Sequence, residues 1–116
     1  MKSIFVLCSE GPGLCDDIKE LLEGEMEENK NLKIVIKEGR EIKGIPKGYD
    51  GYHINVNGLS VENVKKLRAD NPSSLIYGTG HTYNPEDKAK AEMLNYHNEM
   101  DPWKGIKELI DRFGRR

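Results

Sequence analysis

The chain reads as an α/β protein, a three-layer α/β/α sandwich around a parallel sheet of four to five strands, and two observations carry that reading. The hydrophobic period switches repeatedly between that of a strand and that of a helix. Three apolar runs, Ser3–Leu7, Tyr52–Val56 and Leu75–Tyr77, each stop at a short polar cluster containing glycine: Cys8-Ser9-Glu10-Gly11, Asn57-Gly58 and Gly78-Thr79-Gly80-His81. Strands of an open α/β sheet carry their ligand groups just past their carboxyl ends, so these three clusters are expected to meet in one crevice.

Each element has its own signature. Lys2–Cys8 is a continuous apolar run rich in Ile, Phe and Val, as in a strand covered on both faces, and it is expected at the centre of the sheet. Beyond the turn Gly11-Pro12-Gly13, a helix places Leu14, Ile18, Leu21, Leu22 and Met26 on one face and Asp16, Asp17, Glu20 and Glu23 on the other. Acidic residues in its first turn would suit the positive end of the dipole. Leu32–Lys37 alternates with lysines, as an edge strand does. Glu38–Gly48 holds two glycines before its last residue and a proline, leaving room for little more than one helical turn. Tyr52–Val56 alternates, with Tyr52, Ile54 and Val56 facing one way and His53 and Asn55 the other, which predicts a strand with one side only partly covered.

Ser60 caps a helix through Ala69 with Val61, Val64 and Leu67 inward. Leu75–Gly78 is the fourth strand. Asn84 caps a helix over Pro85–Leu94, with proline at its first position, where the missing N–H costs nothing. Asn95–Asn98 makes a very short fifth strand. Asp101-Pro102 repeats the cap and opens a last helix with the stripe Trp103, Ile106, Leu109, Ile110 and Phe113. Arg112, Arg115 and Arg116 suit its C-terminus. Alternation of this kind implies right-handed crossovers and the flavodoxin-like strand order 2-1-3-4-5.

Composition narrows the function classes. One domain over residues 1–116 is long enough to bury a core unaided. Eighteen Lys and Arg against 20 Asp and Glu leave a net charge of −2, so no long-range field draws in nucleic acid or anionic lipid. Charged residues at 33% and a mean hydropathy of −0.71 describe a heavily solvated surface. No run approaches a membrane span, and the basic, then apolar opening is too short for a signal peptide. The chain is expected to be cytoplasmic, with Cys8 and Cys15 as free thiols. His53, His81 and His97 lie on separate segments without paired spacing, which predicts no metal site. No cofactor is expected, and no residue announces itself as catalytic.

Over nearly the whole chain, this order of elements resembles the receiver domains of response regulators. In that family a phosphoryl group passes from a histidine kinase to an aspartate at the end of the third strand, helped by magnesium. The resemblance puts the acidic pair of the first strand on Cys8-Ser9, with Glu10 the nearby carboxylate. It puts the phosphoacceptor on Asn55, with Asn57 two residues later, and the hydroxyl residue of the fourth strand on Thr79. The lysine of the fifth strand has no counterpart; Asn98 or Glu99 stands there. An amide is far less nucleophilic than a carboxylate. The resemblance therefore implies an atypical receiver-like domain, a pseudo-receiver acting in signalling or protein interaction without aspartyl phosphorylation. With no output domain attached, it is expected to use a protein partner or a homodimer through the family's usual docking face, here Pro85–Phe113.

The same topology is similar to the B subunits of certain sugar phosphotransferase systems, whose first strand ends in a phosphocysteine. That resemblance would make Cys8 a phosphocarrier, although Glu10 and Pro12 stand where phosphate wants hydroxyl and N–H donors. A third reading makes Cys8, Ser9, Glu10, Asn55, Asn57, Thr79 and His81 the lining of a small-ligand site. Gly11-Pro12-Gly13 lacks the spacing of either a P-loop or a dinucleotide fingerprint and reads as a plain turn.

Overall fold

The computed structural model describes residues 1–114. The elements run β1 (Lys2–Cys8), α1 (Pro12–Glu28), β2 (Leu32–Glu38), β3 (Gly51–Asn55), a 3-10 turn at Val56–Gly58, α2 (Val61–Asp70), β4 (Leu75–Thr79), α3 (Pro85–Glu92), β5 (Tyr96–Asn98) and α4 (Pro102–Gly114). All four strand pairings are parallel, and the order is β2-β1-β3-β4-β5. The expected sandwich and order are thus the observed ones. β1 is interior, paired with both β2 and β3, but the middle strand is β3.

The side chains of β1 alternate between two cores. Ile4, Val6 and Cys8 pack with Cys15, Ile18 and Leu22 of α1 and Ile106, Leu109 and Ile110 of α4. Phe5 and Leu7 pack on the opposite face with Tyr52, Ile54 and Ile76 and with Val64 and Leu67 of α2. Burial of these aliphatic side chains, at roughly 1.5–3 kcal/mol each, is what holds the layers together.

The helix starts follow their caps. Ser60 Oγ accepts from the Asn63 N–H at 3.1 Å, Asn84 Oδ1 from Asp87 at 2.8 Å, and Asp101 Oδ1 from Trp103 at 3.0 Å. Of the basic C-terminal group, Arg112 closes α4, whereas Arg115 and Arg116 lie outside the described residues.

Four expectations need correcting. The inward stripe of α1 is Cys15, Ile18 and Leu22, while Leu14 and Leu21 are 42% and 49% exposed. Cys15 steps to Ile18 and Leu22 at three and seven residues, and it is turned inward because its sulfur is bonded to Cys8. No acidic residue occupies the first turn of α1, since Asp16 and Asp17 come one turn later. β3 is covered on both faces: His53 is 3% exposed because Gly105 lets α4 approach closely, and a Cβ on that glycine would stand 3.0 Å from His53 Nε2. The stunted connection needs no helix at all. Between β2 and β3, Ile42 is buried and Ile45 and Tyr49 pack beside it on the α2 face.

Candidate functional site

At the carboxyl ends of β1, β3 and β4 the polar clusters come together. Asn55 is the last residue of β3 and stands opposite Thr79, the last of β4. Thr79 is buried there, whereas Asn55 is partly open to the crevice. The Asn55 amide is engaged at both ends: Nδ2 donates to Glu10 Oε2, and Oδ1 accepts from the Asn57 N–H at 2.8 Å. That second bond caps the 3-10 turn, which carries the chain away from the strand toward α2.

Asn57 then ties β3 to the loop after β4. Its Nδ2 donates to the His81 carbonyl at 2.9 Å, and its Oδ1 accepts from the His81 N–H at 2.9 Å. Gly80 makes that approach feasible. It sits at φ 116°, and a Cβ there would fall 2.6 Å from Asn57 Oδ1 and 2.9 Å from Asn55 Oδ1. His81 joins the crevice through its main chain. Its ring stacks on Tyr83, centroids 4.6 Å apart and planes 12° from parallel, with Nδ1 3.8 Å from Asp87 Oδ2. Ser9, Arg40, Asn55, Asn57 and Gly58 surround a small hollow of about 100 Å³.

Two features escaped the sequence reading. Asp87 and Lys90 of α3 form an ion pair at 2.6 Å, the lysine side chain 3% exposed, and Lys90 Nζ also donates to the Leu59 carbonyl at 2.6 Å. Asn57 Nδ2 reaches Asp87 Oδ2 at 3.1 Å, so the pair is hydrogen-bonded into the crevice network. Burial alone would raise the Asp87 carboxyl, but the Lys90 ammonium and the amides of Asn84 and Asn57 outweigh it and hold the group below its ordinary value. The i, i+3 spacing of opposite charges was visible in sequence, but their burial was not.

The second is covalent. Cys8 and Cys15 are joined by a disulfide, with Cα atoms 5.9 Å apart, and no free cysteine remains. The expectation of free thiols at Cys8 and Cys15 is therefore corrected. The end of β1 and the first turn of α1 are brought within bridging distance by the short loop between them. Among the described residues, no group of three or more His, Cys, Asp or Glu could hold a metal ion. No helix among them is long and apolar enough to cross a membrane.

No protein-family model matches the chain, and no curated protein matches it in sequence. Solved structures do match it in fold. The response regulator TrrA of Thermotoga maritima, bound to magnesium and beryllofluoride, superimposes with a TM-score of 0.64 at 20% identity, over 97% of this chain and 99% of that one. The complex of the histidine kinase ThkA with TrrA gives 0.61 at 20% identity, over 97% and 98%. A response regulator of Burkholderia pseudomallei bearing a phosphorylated aspartic acid gives 0.52 at 8% identity, over 99% and 68%. At these identities the likeness defines the fold: a flavodoxin-like sandwich of the response-regulator receiver type.

Proposed function

We propose that this chain is a receiver-like signalling module that works through protein interaction and without aspartyl phosphorylation. The observation that carries the reading is the residue at the end of β3. Asn55 offers an amide whose nitrogen is bound to Glu10 and whose oxygen is bound to the Asn57 N–H. An amide oxygen held in that way is a poor nucleophile, and no acyl phosphate forms on it. Magnesium prefers one or two carboxylates with several waters, and Glu10 is the carboxylate that touches Asn55. The crevice groups are spent on holding three loops together, an organising role rather than an enzymatic one.

Interaction is supported by the fold. TrrA, which shares it, was solved in complex with the kinase ThkA, and a protein partner is the corresponding inference for this chain. We assign the docking role to the Pro85–Phe113 face, formed by α3, β5 and α4, for a partner or a second copy. Use of Cys8 as a phosphocarrier is not favoured, because its sulfur is bonded to Cys15.

Incubation with acetyl phosphate and magnesium, followed by intact mass measurement, tests the chemical half of the proposal. The expected result is an unmodified protein; gain of one phosphoryl group mapped to the crevice would overturn it.

A further inference from the structure

We infer that Cys8 and Cys15 form a thiol–disulfide switch whose state is read by Glu10, the carboxylate that holds Asn55. The inference rests on the functional reading above only in taking Glu10 and Asn55 as the working groups of the crevice. Three observations converge on it.

The disulfide spans the loop that presents Glu10, since Cys8 ends β1 and Cys15 lies in the first turn of α1. Glu10 also touches both systems at once: Oε1 lies 3.4 Å from Cys8 Sγ, while Oε2 accepts from Asn55 Nδ2. Finally, little else fastens this loop. The N-cap of α1 is Gly11, which supplies no capping side chain, and among the described residues the backbone contacts at the two ends of the loop are Gly39 N–H to the Cys8 carbonyl and Cys15 N–H to the Gly11 carbonyl, each at 3.0 Å.

The two oxidation states present different partners to one carboxylate. A disulfide sulfur carries no proton and can only accept, so in the oxidised protein Glu10 is left to Asn55. In the reduced protein the Cys8 S–H is a donor within reach of Glu10 Oε1, and the loop is no longer stapled to α1. Glu10 is then shared with the thiol, and its grip on Asn55 relaxes.

The chemistry balances with a small-molecule disulfide as oxidant. The two protein thiols and one external disulfide give the Cys8–Cys15 bond and two external thiols; the pair loses two electrons and two protons, and the external S–S bond gains both. Reduction is the reverse, begun by an external thiolate attacking one sulfur and releasing the other. Both cysteines are only 2% exposed, so exchange proceeds through opening of the uncapped turn at Gly11–Leu14.

The full chain, equilibrated in glutathione buffers from fully reduced to fully oxidised, provides the test. Alkylation and intact mass count the thiols, while ¹⁵N-resolved spectra follow the Asn55 side-chain amide. The expected result is a transition from two thiols to none, with the Asn55 amide resonances moving at the same midpoint and amide exchange over residues 9–15 at least tenfold faster in the reduced form. By reciprocity of linked equilibria, Glu10→Gln shifts that midpoint. A pair that stays in one oxidation state in every buffer overturns the switch. A pair that cycles while the Asn55 amide stays still overturns its reading by Glu10. Neither outcome involves a phosphodonor, so failure here is distinguishable from failure of the proposed function.

Discussion

His53 is where a single side chain decides how the molecule responds to pH. It is 3% exposed, its Nε2 has no hydrogen-bond partner among the described residues, and burial pushes its imidazole down from 6.5 to about 3. Between those values the unfolded chain binds a proton that the folded one refuses. The stability this neutral ring permits is therefore complete above its ordinary value and is lost as the pH falls toward about 3. The slope approaches about 1.4 kcal/mol per pH unit in the middle of that window. Urea denaturation of the wild type over about pH 6 to 4.5 should show that slope, and His53→Leu should flatten it. An equal slope in the variant would mean that another group carries it. Asp87 adds its own loss only further down, because its lowered carboxyl titrates below the ordinary carboxylate range.

At the scale of elements, α3 is joined to the crevice by charge more than by grease. Its buried residues are Asp87 and Lys90, and these reach across to Leu59 and Asn57 on the segment leaving β3. Lys90→Met leaves Asp87 buried without its cation, and a loss of about 3–5 kcal/mol in unfolding free energy is expected. The double variant Asp87→Asn, Lys90→Met should recover a large part of it, and a double-mutant cycle measures the coupling. Strict additivity would show that the pair does not act as a unit. This pair also marks the limit of sequence reading. Caps such as Asn84 and Ser60 are local, and their spacing to the first helical N–H groups can be read directly. Whether a lysine three residues from an aspartate is solvated or enclosed depends on what packs over it, and no local pattern encodes that.

For the molecule as a whole, strand order and layer assignment were legible because apolar runs and helical stripes alternate in an order that few topologies satisfy. Convergence of Glu10, Asn55 and Asn57 was likewise foreseeable, since parallel strands bring their carboxyl ends to one edge. The disulfide was not. A seven-residue separation between cysteines is compatible with two thiols, and only the angle at which α1 leaves β1 sets them 5.9 Å apart. The orientation of His81 was also hidden, because its ring follows Tyr83 while its backbone serves Asn57.

The central claim is that a receiver-type fold here encloses a crevice made chemically silent by the amide of Asn55. Its most direct test is a titration of the ¹⁵N-labelled chain with magnesium and beryllofluoride, the phosphoryl mimic found on TrrA. The account predicts that the resonances of Asn55, Thr79 and Glu10 stay in place throughout. Saturable shifts centred on those three residues would contradict it.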